Sequence, residues 1–225
     1  MENKRLRISI GVPMASDFIH RKFMQSLMGL QMPENVDVNY IIVPGRQLPF
    51  ARNHIVQEAQ KFNSDYLFFI DADMVFPSNL LIRLLSHNLD MVNALAFRRI
   101  KPYYPCIFNW NDEHKCYETV EYSHGLLEVD ATGMAAHLIK MDVFDKVDSP
   151  WYYYRENIFS SDLTFCENAR KAGFKIMIDT DMKIGHLSDE LVVTEDFYNY
   201  TQTDEQKEEW NSNMIQALDG QKRGQ

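Results

Sequence analysis

Residues Tyr66 to Ile70 (Tyr-Leu-Phe-Phe-Ile) are apolar without alternation. A strand with one wet face alternates apolar and polar residues. An unbroken apolar run suits a strand buried on both faces, as at the centre of a parallel sheet. Such a strand demands cover on both sides, and the flanking sequence supplies it. Leu6 to Val12 alternates, is rich in β-branched residues and reads as a strand ending at Pro13; Val36 to Val43 reads as a second, closed by Pro44-Gly45. Ala51, Ile55, Val56, Ala59 and Phe62 recur on one helical face. Pro77-Ser78-Asn79 opens a helix carrying Leu80, Leu81, Leu84 and Leu85, and Met91 to Phe97 is another strand-like run. Strands and helices in alternation predict an α/β fold around a mixed, mostly parallel sheet with flanking helices.

After residue 98 the rhythm breaks into short strand-like pieces around Cys106–Phe108, Tyr117–Glu121 and Leu126–Val129. Met134 to Lys140 reads as a strand, followed by a short helix capped by Asp142. Ser160 or Ser161 can cap a helix running through Ala172, with Gly173 just past its end. Lys175 to Ile178 reads as a last strand. Beyond about residue 189 the chain is polar, with one short amphipathic stretch at Trp210, Met214 and Leu218. The expected organisation is one domain over residues 1–188 and an acidic C-terminal extension over 189–225, a solvated arm or lid. Residues 189–209 hold eight acids and one base, so −7 of the net charge of −9 lies there.

Composition narrows the function. The longest apolar runs are about five residues, whereas a membrane-spanning helix needs about 20, so no transmembrane segment is expected. The N-terminus leads into a strand rather than a long apolar stretch, which argues against a signal peptide. Three cysteines, Cys106, Cys116 and Cys166, form an odd set without metal-type spacing. They fit reduced thiols and a cytoplasmic location. The acidic balance disfavours a protein that coats nucleic acid, since that binding depends on Lys and Arg neutralising phosphates. It leaves room for an anionic acceptor at the Arg98–Lys101 segment.

The sharpest chemical signal is Asp71-Ala72-Asp73, placed directly after the buried strand. Ligands of open α/β sheets bind outside the carboxyl ends of the strands. Two carboxylates there repel unless something cationic lies between them, and a divalent metal carrying phosphate is the natural candidate. An Asp-rich turn is the plain alternative. A dehalogenase-type phosphatase would use the first Asp as nucleophile, but two strands precede Asp71 and no Gly-Asp-x-x-x-Asp follows. Arg52, in Leu48-Pro-Phe-Ala-Arg-Asn53, stands near a helix start, where it could help hold an anion. Asp130-Ala-Thr-Gly133 precedes the strand of residues 134–140, in which His137 reads as structural. Asp162 falls in the first turn of a helix, as a general base or simply as an acid favoured by the helix dipole. His186, in Lys183-Ile-Gly-His186, follows the last strand and suits a neutral imidazole ligand to a carboxylate-bound metal. Arg98 and Arg99 stand at the edge where the site should lie, as phosphate contacts or as a solvated turn. Tyr103, Tyr104, Trp110 and Trp151–Tyr154 could stack on a sugar or base, or cover the sheet.

Taken in order, these motifs resemble the GT-A glycosyltransferases, particularly small family-2-like bacterial and phage members, over roughly residues 6–188. The resemblance implies a Rossmann-like GT-A domain and a nucleotide-diphosphate sugar, with UDP-sugar favoured, as donor to a hydroxyl acceptor. It implies that Pro13, Met14 and Ala15 line the base pocket, and that Arg52, Asp71, Ala72 and Arg98 lie beside the nucleotide. Asp71 would face the ribose or the metal, and Asp73 and His186 would bind Mn²⁺ or Mg²⁺. Asp162 would be the catalytic base. Many relatives carry Glu-Asp where this chain has Ser161-Asp162, so acceptor geometry and the choice between inversion and retention stay open. Two other readings remain beside it. A sugar-phosphate nucleotidyltransferase usually has a Gly-rich basic loop after its first strand, and Gly11–Asp17 is not one. A non-catalytic nucleotide-sugar-binding protein on a degenerate GT-A fold would lack some of the acids and the histidine kept here.

Overall fold

The computed structural model describes residues 5–156, 158, 160–188 and 191–201. The chain runs β1 (Leu6–Pro13), α1 (Arg21–Met28), β2 (Val36–Val43), α2 (Leu48–Lys61), β3 (Tyr66–Ile70), β4 (Met74–Val75), α3 (Leu80–Ser86) and β5 (Met91–Leu95). It continues through β6 (Ile107–Asn111), β7 (Cys116–Thr119), β8 (Leu126–Val129), β9 (Ala131–Thr132), β10 (Ala136–Lys140), α4 (Met141–Lys146) and α5 (Ser161–Lys171). It closes with β11 (Ile176–Lys183), β12 (Gly185–Ser188), β13 (Leu191–Val193) and α6 (Glu195–Thr201).

A seven-stranded sheet in the order β2-β1-β3-β10-β5-β11-β8 forms the centre. β1, β2 and β3 pair in parallel, as do β5 and β11, while β10 and β8 run against their neighbours. The sheet is therefore mixed and mostly parallel. β3 is buried on both faces. Leu67 and Phe69 enter one core with α2, α4 and α5, while Phe68 and Ile70 enter the other with α1 and α3. β1 is asymmetric: Ile8, Ile10 and Val12 fill the second core, whereas Ser9 and Gly11 face α2. A Cβ on Gly11 would lie 2.4 Å from Ile55 Cγ2, so glycine sets how closely α2 approaches the sheet. Two three-stranded sheets, β13-β12-β4 and β7-β6-β9, flank the centre. Among the described residues no helix is long and apolar enough to cross a membrane.

Several boundaries differ from the sequence reading. α1 was not anticipated, because its eight residues anchor through Phe23 and Leu27 alone. The strand expected from Met134 begins at Ala136, since 133–135 turn to meet Asp71 and Asp162. Asp142 does not cap α4: Lys140 is the N-cap, and Asp142 sits inside the first turn. Ser160 does cap α5, accepting from the Asp162 N–H at 3.3 Å, and Gly173 follows the C-cap Ala172 with φ +93°.

The strand expected to end at Ile178 continues to Lys183 through a register shift after Asp179. Ordered elements follow residue 188. β13 pairs with β12 at Leu187↔Val192, Val193 lies in the core, and Glu195 accepts from Lys183 Nζ at 2.6 Å and Tyr122 Oη at 2.8 Å. Phe197 packs on Tyr103 and Tyr198 on Phe97, at centroid distances of 5.5 and 5.7 Å. The stretch through Trp210, Met214 and Leu218 lies outside the described residues.

Candidate active site

The register Gly11↔Phe69 sets the carboxyl ends of β1 and β3 side by side, and Asp71-Ala72-Asp73 leaves the sheet there. The Asp71 N–H donates to the Ala135 carbonyl at 3.2 Å, and the Asp71 carbonyl accepts from the Met74 N–H at 3.1 Å, which makes a tight turn. The turn aims the two carboxylates at different partners.

Asp71 meets Arg52. That side chain projects from α2 on the face that also carries Ile55, Val56 and Ala59, and it is fully buried. A guanidinium on an apolar helix face must be paired. Arg52 NH2 donates to Asp71 Oδ1 at 3.0 Å and Oδ2 at 3.3 Å. Arg52 NH1 forms an ion pair with Asp162 Oδ1, and the guanidinium lies 5.8 Å from the Tyr152 ring centroid. Burial raises the Asp71 pKa, and the charge of Asp73 adds to it against the opposing pull of Arg52.

Asp162 lies in the first turn of α5 and is 8% exposed. Its Oδ1 also accepts from Ser161 Oγ at 3.4 Å, and its Oδ2 accepts the Met134 N–H at 3.3 Å. Asn93 fixes the adjoining turn. Its Nδ2 donates to Thr132 Oγ1 at 3.1 Å and to the Gly133 carbonyl at 2.5 Å, and its Oδ1 accepts from the Ala136 N–H at 3.2 Å. Sequence reasoning missed Asn93. The signal was there: a single polar residue inside the apolar run Met91-Val-Asn-Ala-Leu95, 1% exposed.

Asp73 meets His186 through strand pairing. β4 and β12 are antiparallel with His186↔Met74, and the Leu187 N–H donates to the Asp73 carbonyl at 2.8 Å. His186 Nε2 then lies 3.1 Å from Asp73 Oδ2, while Nδ1 lies 2.8 Å from the Phe97 carbonyl. A carbonyl only accepts, so Nδ1 carries a proton and Nε2 is the nitrogen turned to Asp73. Arg99 NH1 donates to the same Asp73 Oδ2 at 3.1 Å. Burial works to raise the Asp73 pKa, but His186 and Arg99 outweigh it and the net shift is down. Burial works to lower the His186 pKa, but the bond to Asp73 outweighs it and the net shift is up.

The expected residues therefore separate into two clusters, Arg52–Asp71–Asp162 and Asp73–His186–Arg99. Among the described residues no group of three or more His, Cys, Asp and Glu side chains is gathered to hold a metal ion. Asp71, expected to ligate one, lies on Arg52 instead. Arg52, expected beside the nucleotide, is fully buried. Of the expected base pocket, Pro13 and Met14 are buried, Met14 within the core beside Phe23, and Ala15 is exposed. Ala72 and Arg98 are half-buried, and the Arg98 guanidinium lies 5.6 Å from the Phe108 ring centroid. Trp151 and Tyr152 are core residues, Tyr152 stacked on Phe165 at 4.6 Å. Tyr154 is exposed.

No family model matches this sequence, and no curated protein matches it. Solved structures do. A197 from STIV superposes with a TM-score of 0.62 at 16% identity, covering 85% of this chain and 91% of that one. S. aureus TarS 1-349 in complex with UDP-GlcNAc gives a TM-score of 0.46 at 13% identity, covering 83% of this chain and 57% of that one. The architecture is a GT-A fold, a mixed and mostly parallel sheet with helices on both faces.

Proposed function

We propose that this chain is a glycosyltransferase that moves a sugar from a nucleotide-diphosphate sugar, with UDP-sugar favoured, to a hydroxyl acceptor. The observation that carries the reading is the placement of Asp73, His186 and Asp162 at the carboxyl edge of a GT-A sheet. Asp162 accepts the proton of the acceptor hydroxyl. The acceptor oxygen bonds to the anomeric carbon, and the bond from that carbon to the diphosphate oxygen breaks, its electron pair leaving on the nucleoside diphosphate.

A divalent cation fits the donor set in part. Asp73 offers a hard carboxylate oxygen. The bond from Nδ1 to the Phe97 carbonyl is the outer support usual for a metal-ligating histidine, and a cation that displaced the proton shared by Nε2 and Asp73 would be met by Nε2. Two protein ligands suit Mg²⁺ or Mn²⁺, with phosphate and water completing the shell. The ion would supply Lewis-acid stabilisation of negative charge on the departing diphosphate. Asp71, paired with Arg52, is assigned to the nucleotide side rather than to the metal.

A thermal-shift panel of nucleotide-sugars with and without Mn²⁺ tests the donor, because a ligand that binds the folded state raises apparent stability. A UDP-sugar should stabilise the protein with Mn²⁺ present, and Asp73→Ala should lose that metal-dependent part. Wild-type UDP affinity with Mn²⁺ in that variant sinks the metal assignment. Donor binding with neither hydrolysis nor transfer across a broad acceptor panel would make the protein a nucleotide-sugar binder.

A further inference from the structure

Arg52 ties together two carboxylates that the chain supplies from distant places, Asp71 after β3 and Asp162 in the first turn of α5. It is the largest fully buried side chain among the described residues, hydrogen-bonded to Asp71 through NH2 and ion-paired with Asp162 at NH1. The separation between the two acids is therefore the span of one rigid, planar guanidinium. Asp162 has about four lone-pair sites on its carboxylate. The Arg52 ion pair and the Ser161 Oγ hydrogen bond crowd Oδ1, and the Met134 N–H takes one lone pair of Oδ2. One lone pair on Oδ2 is left to receive a proton.

From this geometry we infer that Arg52 is a positioning residue acting through Asp162. It fixes which oxygen of the base is free and sets its distance from the Asp71-Ala72-Asp73 turn. The inference rests on the glycosyltransferase reading above and departs from it in one respect: Arg52 contributes to turnover without touching the donor.

The test uses the full chain with Arg52→Lys, Asp162→Asn and the double variant, each first checked for folding by circular dichroism and thermal denaturation. Lysine keeps the positive charge but presents a single point donor, so it cannot span both acids. In Arg52→Lys the donor KM should stay within about threefold of wild type while kcat falls ~30-fold or more, below the full worth of a general base. The double variant should be no slower than Asp162→Asn alone, because the lysine acts on a base that is already gone. Independent effects would instead multiply to within about twofold. A purely structural role would lower the melting temperature and the fraction of active enzyme, and would multiply with Asp162→Asn.

Near-wild-type kcat in Arg52→Lys, or multiplying losses in the double variant, overturns the inference while leaving the glycosyltransferase reading standing. A wild-type protein that turns over no nucleotide-sugar overturns both. If Arg52→Lys does not fold, Arg52→Gln, which can bond one carboxylate without charge, is read by the same criteria.

Discussion

His137 is fully buried on β10, and its Nε2 has no hydrogen-bond partner among the described residues. Burial, with the charge of Arg52 adding to it, pushes its pKa down from 6.5 to about 3. The folded protein holds this imidazole neutral, whereas the unfolded chain protonates it below pH 6.5. The unfolded state thus binds more protons between pH 6.5 and about 3, and the stability tied to His137 falls as pH drops through that window. Urea midpoints measured across it should fall less steeply for His137→Gln than for wild type. The same scale shows what a sequence can and cannot reveal about a site. Asp71, Asp73, Asp162 and His186 stood out because each is a polar residue at the end of an element. The pairing of Arg52 with Asp162 did not, because it joins residues 110 positions apart and depends on which way a helix face turns. Nor does a motif at a strand end reveal that the Met14 side chain is buried in the core.

The elements carry a second lesson in β11. Its register shift after Asp179 is held by that carboxylate, which is 1% exposed on its side chain. Asp179 accepts from Arg83 Nε at 2.5 Å, Arg83 NH2 at 2.9 Å, His87 Nε2 at 2.8 Å and the backbone N–H groups of Asp181 and Met182 at 3.1 and 3.2 Å. The clamp sets where the chain leaves the sheet toward His186. Asp179→Ala should destabilise the fold by about 1–2 kcal/mol, because it leaves the backbone N–H groups of Asp181 and Met182 and the partly buried His87 without their acceptor, while the half-exposed Arg83 can turn to solvent. On the proposed function, it should also weaken the Mn²⁺-dependent thermal shift with nucleotide-sugar by displacing His186. Denaturant unfolding and thermal shift would check the two effects separately. Strong, local patterns such as β3, α2 and the Ser160 cap were readable in advance. The register shift and the two small sheets were not, since their strands are two to five residues long and are defined by partners rather than by periodicity.

At the scale of the molecule, Gly11 tests how tightly α2 is seated. Gly11→Ala forces its methyl against Ile55, and a stability loss of about 1–3 kcal/mol is expected from overpacking. Ile55→Ala should recover part of it, as measured by denaturant midpoints. The alternation of strands and helices foretold the first half of the sheet correctly. It did not foretell that β10 would enter between β3 and β5 against both.

That insertion has a consequence for synthesis. A ribosome working at about 5–20 residues per second completes β3 and then β5 well before β10 exists. About 70 residues separate Ile70 from the end of β10 at Lys140. Throughout that interval the nascent sheet is two unjoined pieces. β3 presents an open apolar edge, and β5 lacks both its neighbours, because β11 is made later still. Unpaired edges of this kind recruit other strands. Chains released before residue 136 should therefore aggregate or remain bound to chaperones, while chains that include β10 can close the gap from within.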